Sequence, residues 1–282
     1  MASKTPAKSA TPPHKSDPNF VHSLAKGLDI LSIFAEGDML GNQQLVERTG
    51  LPKATVSRIT STLTALGYLR VDARTRKLMM GSRLVGMGAS VQRRIGLQRI
   101  ARPMLEKLSA DTGLSLIIGT RDRLGLIVLD AIRPPTDNRL VTNVDAGTVL
   151  PIAGTAIGLA YIVAAPVKEQ AAIFDKLAQR FPADWPLLRQ RIEHAHSEFN
   201  RTGFVTTQRS WERDVNGVAI PFAPNARNAL YTVSFAGPVA RMPTARMRKE
   251  LGPMLLQFVK DLQDAMARSP GPHLLPPEIY TP

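Results

Sequence analysis

His194 and His196 stand two residues apart, so a helix would point them to different faces and they could not share a metal ion as an i, i+4 pair can. The remaining histidines, His14, His22 and His273, are scattered, and the chain has no cysteine for a thiolate nucleophile, disulfide or thiolate metal site. GxSxG, P-loop and GxGxxG patterns are absent, and Glu106, Asp111 and Asp130 read as solvated or capping acids. Neither catalysis nor a cofactor is expected from this set. The chemistry that does concentrate is hydrogen bonding and positive charge. Between Pro52 and Tyr68 there is no acid, while Lys53, Thr55, Ser57, Arg58, Ser61 and Thr62 crowd into ten positions beside the small Ala54. Hydroxyls and a guanidinium on a face of small residues suit base edges and phosphates.

A helix is what would gather them. Pro52 opens it, as proline is tolerated in a first turn, and Gly67 ends it. At 100° per residue Val56, Ile59, Leu63 and Leu66 form its buried stripe. Ala54, Ser57, Arg58 and Ser61 face the other way, with Thr55 and Thr62 at the edges and Lys53 at the N-terminal end. Such a face fits a major groove about 12 Å wide, although a solvated surface helix would also be polar. Two elements precede it. Val21, Leu24, Leu28 and Leu31 fall at i, i+3, i+7 and i+10 and predict a helix buried along that stripe. It ends before Glu36-Gly37-Asp38. Asn42 to Thr49 predicts a short second helix stopped by Gly50. After it, Tyr68–Val71 and Lys77–Met80 alternate as strands around a tip carrying Arg74 and Arg76. Helix, helix, turn, helix and basic hairpin make a winged helix-turn-helix.

Composition is compatible with that partner. Lys and Arg outnumber Asp and Glu 36 to 23, a net +13, which favours polyanions: nucleic acid or an anionic membrane surface. An apolar fraction of 44% supports a sizeable core, and 282 residues suit two domains. Residues 1–18 are basic and Pro-rich without the apolar run of a secretory signal, and are expected to form a disordered tail. Residues 146–167 carry no charge, but Pro151 and Pro166 leave a helical core of only about Ala153–Ala165, so a buried helix is expected rather than a membrane span. Gly154 and Gly158 there indicate close helix packing.

The second half changes texture. The linker-helix region is expected at 82–100, with the helix clearest from Ser82 to about Ala89 and a basic patch after it, Arg93, Arg94, Arg99 and Arg102, before a helix at Pro103–Ala110. Strands are expected at 114–119, 124–132, 139–144, 203–207, 215–222 and 230–236. Helices are expected at 153–165, 168–180, 186–201 and 243–267, and a loose Pro-rich tail at 269–282. Strands interleaved with helices indicate an α/β sheet domain over 101–268, and the chain as a whole is of the α+β class.

Several of these runs, taken together, resemble one family. Gly27-Leu28-Asp29-Ile30-Leu31, the stretch Leu45 to Arg58 and Leu63-Thr64-Ala65-Leu66-Gly67-Tyr68-Leu69 resemble the N-terminal domain of the IclR family of bacterial transcriptional regulators. Gly81 to Gly88 is similar to its linker. Ala101-Arg102-Pro103-Met104-Leu105, Ala153 to Gly158 and Ser234 to Pro238 are similar to its C-terminal domain. The resemblance implies a winged helix-turn-helix at 19–81, a linker helix, and a GAF-like domain that binds a small organic acid. It also implies a homodimer, or a dimer of dimers, on a double-stranded DNA operator in the cytoplasm. The implied effector pocket is floored by Thr155, Ala156 and Ile157 at a helix N-terminus suited to an anion. Its opposite wall would be the stretch Thr207 to Gly217, with Thr207, Val215 and Gly217 as contacts, and the strand at Ser234 and Ala236, with Arg209 and Arg213 near the mouth. The sequence departs from the family there: the usual acidic run is replaced by Thr206-Thr207-Gln208-Arg209-Ser210-Trp211-Glu212-Arg213, and Gly217 and Ala236 stand where polar side chains are common. An apolar pocket with few polar handles follows. Ser234 and Thr155 suit capping or core hydroxyls as well as ligand contacts.

Two other readings stay open on the sequence alone. One is a small-molecule-binding or enzymatic α/β domain with an incidental basic N-terminal domain, which turnover of a substrate would reveal. The other is a membrane-surface protein using the basic arm and the apolar stretch, which co-sedimentation with anionic vesicles would reveal.

Overall fold

The computed structural model describes residues 18–34, 39–94, 96–134, 144–223 and 230–268, and the chain divides between Arg93 and Arg94 into two compact units. Residues 1–17 and 269–282 of the expected tails and residues 139–143 of the expected strand at 139–144 lie outside the described residues, as do the side chains of Arg93 and Arg94.

In the first unit α1 (His22–Ile33), α2 (Asn42–Thr49) and α3 (Lys53–Ala65) precede a hairpin of β1 (Leu69–Val71) and β2 (Leu78–Met80). Gly50, at φ 68°, closes α2 by donating its N–H to the Val46 carbonyl at 2.8 Å, and only Leu51 and Pro52 intervene before α3. Ile30, Phe34, Leu40, Leu45, Val56, Leu69 and Leu78 form the core. Leu40 adds an antiparallel bridge to Leu78, extending the hairpin by a rung that the alternation pattern does not announce.

Two expected stripes need correction. On α1, Val21, Leu24 and Leu28 are 58%, 60% and 55% exposed, whereas Ile30 and Phe34 at i and i+4 are the buried pair. An apolar repeat identifies one face of a helix, but here the small unit buries the neighbouring face. On α3, Leu66 is the half-exposed C-cap, and Thr60 takes the inward place beside Val56. The Thr60 hydroxyl lies 3.0 Å from the Val56 carbonyl oxygen and 3.2 Å from Oδ1 of Asn42, so burial leaves it paired and ties α3 to the start of α2. From α4 (Arg83–Arg94), Arg83 donates to the Leu66 carbonyl at 3.3 Å and covers the Tyr68 ring at 5.4 Å.

In the second unit α5 (Gly96–Thr112) begins seven residues before the expected helix, and Pro103 lies inside it. The unit then contains β3 (Ser115–Asp122), β4 (Gly125–Ile132), β5 (Val149–Pro151), α6 (Ala156–Ala164), α7 (Val167–Arg180), α8 (Trp185–Thr202), β6 (Val205–Gln208), β7 (Val215–Phe222) and β8 (Tyr231–Pro238). The chain finishes in α9 (Thr244–Arg246), a π-helical turn at Met247–Leu251, and α10 (Gly252–Ala267). The six strands form one antiparallel sheet in the order β5-β4-β3-β8-β7-β6. Residues of α5 and α10 pack on one face, around Leu116, Val218, Val233 and Phe235. On the other face α6 packs over Ile117, Val205 and Ala219, with α7 and α8 outside it.

The position of α6 decides where a site can form. Ala156 to Val163 are all buried, which explains its uncharged, apolar composition. No helix among the described residues is long and apolar enough to cross a membrane. A Cβ at Gly158 would collide with the Ile152 carbonyl, so only glycine admits the preceding turn so close to the helix. At the far end the Tyr161 hydroxyl donates to Glu169 Oε1 at 2.9 Å, and Arg121 pairs with the same oxygen at 2.7 Å. Burial, reinforced by the neighbouring carboxylate, pushes the Tyr161 phenol above its ordinary range, so it stays a donor.

Candidate functional sites: a nucleic-acid interface and a cavity

The first site is the outward face of α3. Lys53, Ala54, Ser57, Arg58, Ser61 and Thr62 are exposed, while Thr55 is half-buried at the edge. The Thr62 hydroxyl donates to the Arg58 carbonyl at 2.9 Å, which leaves its oxygen lone pairs outward. The hairpin tip presents Arg74 and Arg76, both exposed, with Arg76 at φ 58°. The tip is fixed by Asp72, whose Oδ1 accepts from the N–H and the hydroxyl of Thr75, each at 2.7 Å. These hydrogen bonds hold the Asp72 carboxyl below its ordinary pKa of 3.8. Among the described residues no carboxylate pairs with Lys53, Arg58, Arg74 or Arg76. Four unpaired cations on a groove-sized helix face and an adjoining hairpin can meet phosphates without first breaking an internal ion pair.

The second site is a cavity between the first turn of α6 and the β6-β7-β8 end of the sheet. All eight sequence-predicted positions border it: Thr155, Ala156 and Ile157 from the helix, and Thr207, Val215, Gly217, Ser234 and Ala236 from the strands. The register explains the convergence. Thr207, Gly217 and Ala236 lie opposite one another in a row, and Ser234 stands two residues along β8, opposite Ile117. A Cβ at Gly217 would come within 3.1 Å of the Ala156 Cβ, so glycine there leaves room for the helix end.

Reasoning from the sequence missed Ile117, Leu150 and Phe235 as lining residues, and within the expected wall from Thr207 to Gly217 it did not single out Ser210, Trp211 and Asn216. The exposed Trp211 in a polar run was the visible signal. Arg209 and Arg213, expected at the mouth, are exposed and do not line the cavity, and among the described residues no charged side chain does. Their segment turns away at Arg209, whose φ is 50° and whose N–H donates to Oδ1 of Asn216 at 3.1 Å. Ser210 then donates to the Gly154 carbonyl at 2.8 Å, bringing Trp211 over the opening.

The polar groups divide sharply. The Thr155 hydroxyl donates to the Pro151 carbonyl at 3.0 Å and accepts from the Gly158 N–H at 3.2 Å, acting as a helix cap. Ser234 is 3% exposed and no hydrogen bond to its hydroxyl is found among the described residues; since no fully buried side-chain oxygen or nitrogen there lacks a partner, this oxygen opens onto the cavity it lines. The described residues contain no cluster of His, Cys, Asp and Glu that could hold a metal ion.

Comparison with known proteins covers both units. A family model for the IclR helix-turn-helix domain matches residues 23–73, and one for the bacterial transcriptional regulator IclR C-terminal domain matches residues 89–264. The chain is 52% identical over 266 residues to the HTH-type transcriptional regulator TsaQ1/TsaQ2 of Comamonas testosteroni, covering 94% of this chain and 96% of that one. It is 25% identical over 255 residues to the Pca regulon regulatory protein of Pseudomonas putida, covering 87% and 84%. Among solved structures, an IclR family transcriptional regulator from Brucella abortus superposes with a TM-score of 0.80 at 29% identity, covering 94% of this chain and 99% of that one. A Microbacterium hydrocarbonoxydans homologue complexed with 4-hydroxybenzoate shares the fold at a TM-score of 0.63 and 16% identity, covering 86% and 97%.

Proposed function

The chain belongs to the IclR family of transcriptional regulators, and from that premise we propose that it binds a specific operator under the control of a small organic acid held in the cavity. The observation that carries the DNA half is the acid-free outward face of α3, with Lys53, Ser57, Arg58 and Ser61 exposed beside Arg74 and Arg76 of the hairpin. In this reading α3 lies in the major groove, Arg58 and the hydroxyls read base edges, and the hairpin arginines meet phosphates. The work is done in the cytoplasm by a homodimer or dimer of dimers. The exposed Val21, Leu24 and Leu28 stripe on α1 supports self-association, because a second copy would remove it from water.

For the acid half, support comes from the first turn of α6, where Ala156 and Ile157 have no intrahelical acceptor for their N–H groups, and from the unpartnered Ser234 hydroxyl. The relative complexed with 4-hydroxybenzoate is an organic-acid precedent on the same fold. The test is enrichment of bound duplexes from a random-sequence library, followed by binding measurements with a panel of monocarboxylic acids. The expected result is a partly palindromic site whose affinity one of the acids changes. An acid at 100 times its dissociation constant should also stabilise the protein by about 2.7 kcal/mol. Failure to enrich any sequence would sink the DNA reading, and neither a thermal shift nor a change in DNA affinity would sink the effector reading.

A further inference from the structure

We propose that Trp211 is the specificity-determining residue of the cavity and that it selects a planar aromatic monoacid; this rests on the acid-binding reading above. Few polar groups in the cavity are left for a ligand. Thr155 is occupied as a cap, and Ser210 is occupied by the Gly154 carbonyl. Asn216 donates to the Met242 carbonyl at 2.8 Å and accepts from Arg209. What remains are the Ala156 and Ile157 N–H groups and the hydroxyls of Ser234 and Thr207. That set can satisfy one carboxylate. With no charged side chain in the lining among the described residues, a second carboxylate would meet no counter-charge there. A polyhydroxylated acid would press unpaired hydroxyls against Ile117, Leu150 and Val215.

The cavity volume is about 40 Å³, well below the ~300 Å³ and more of usual ligand sites, so an acid with a ring enters only if a wall moves. The floor is sheet and the end is α6. The segment from Arg209 to Asp214 is irregular and begins at a positive φ; its ends are fixed by the Arg209 N–H to the Val215 carbonyl and the Val239 N–H to the Asp214 carbonyl, while among the described residues its middle reaches the α6 end through the Ser210–Gly154 hydrogen bond. Trp211 rides on it, 37% exposed while bordering the cavity. When the segment shifts to admit a ligand, the indole becomes the wall opposite the sheet. A flat π-face there favours a flat ring over a puckered one of equal size.

The experiment compares benzoate, cyclohexanecarboxylate and succinate on the full chain by calorimetry and tryptophan fluorescence. A Trp185→Phe background makes Trp211 the single tryptophan, since the chain has two. Benzoate should bind the parent more tightly than the other two and change Trp211 emission. Trp211→Ala should weaken benzoate about tenfold and cyclohexanecarboxylate less than threefold. Ser234→Ala should weaken both ring acids alike, with circular-dichroism melts checking that each variant folds. Equal losses for benzoate and cyclohexanecarboxylate in Trp211→Ala, or no loss, would overturn the role of Trp211 while leaving acid binding intact. Succinate binding more tightly than benzoate would overturn the monoacid assignment. If none of the acids binds the parent, the acid-binding reading falls and this inference with it.

Discussion

Glu198 receives both donors of Thr206: the backbone N–H reaches Oε2 at 2.7 Å and the hydroxyl reaches Oε1 at 2.8 Å. Glu198 is 1% exposed, and its ion-pair partner is Arg248, 3.4 Å away and 44% exposed. A carboxylate on α8 thus holds the edge strand β6 one residue before Thr207 enters the cavity wall. An edge strand of four residues has a neighbour on one side only, so this side-chain grip replaces part of a missing ladder.

Glu198→Ala should therefore destabilise the second unit by about 2–3 kcal/mol, the worth of charge-assisted hydrogen bonds whose donors are left buried. Arg248 can turn to solvent, so the larger penalty of stranding a buried charge does not apply. In a domain of this size the melting temperature should drop by roughly 5–10 °C. Glu198→Gln retains one acceptor and should lose less. Melting of Glu198→Ala within a degree of the parent would show that β6 is held by its ladder alone.

The exposed stripe on α1 leads to a second expectation. Leu24 and Leu28 are four apart, more than half exposed, and lie on a face about 120° round the helix from the packed Ile30 and Phe34. Leu24→Lys with Leu28→Glu places charge on a surface that loses nothing in the isolated unit, so folding should be retained while self-association is lost. Analytical ultracentrifugation should then show a smaller species. An unchanged sedimentation coefficient would mean that copies associate elsewhere.

How far the sequence could be read depended on whether a residue's environment is local. The α3 face was legible because composition and helical period are both local, and the eight cavity positions were legible because a family resemblance supplied the register that one strand cannot. The repeat Val21, Leu24, Leu28 and Leu31 is more regular than Ile30 and Phe34, yet of its members only Leu31 packs against the core. Burial there is decided by α3, which no repeat within α1 can reveal. Thr60 was passed over for a similar reason, its partner Asn42 being eighteen residues away. Trp211 reaches the cavity only through a positive φ at Arg209 and the hydrogen bond from Ser210 to Gly154, fifty-six residues distant.

On DNA, Arg58→Ala and the hairpin variants should fail differently. Removing a bidentate base contact costs about 1–3 kcal/mol on the preferred sequence and little elsewhere, so Arg58→Ala should relax specificity; Ser57→Ala should do so more weakly. Arg74→Ala and Arg76→Ala should weaken binding to all duplexes alike and flatten the dependence of log K on log salt, since they release fewer counterions. Fluorescence anisotropy at several salt concentrations separates the two. Arg58→Ala binding every duplex as the parent does would remove Arg58 from the reading face.

The hairpin tip has its own pH dependence. The Thr75 hydrogen bonds favour ionised Asp72, so its carboxyl titrates below 3.8 in the folded chain and near 3.8 when unfolded. A depressed carboxylate contributes stability that is fully present above the unfolded value and fades as pH falls through the folded one. The tip should therefore be insensitive to pH near neutrality and loosen only under acid, while Asp72→Ala should loosen it at every pH. Because Arg74 and Arg76 ride on the tip, Asp72→Ala should also weaken binding to all duplexes even though it removes a negative charge, which by itself would strengthen binding. The opposing signs make the measurement decisive: tighter DNA binding by Asp72→Ala would show that charge outweighs the ordering of the hairpin. An NMR titration of the Thr75 amide with a midpoint at or above 3.8 would show that the hydrogen bonds do not hold Asp72 in solution.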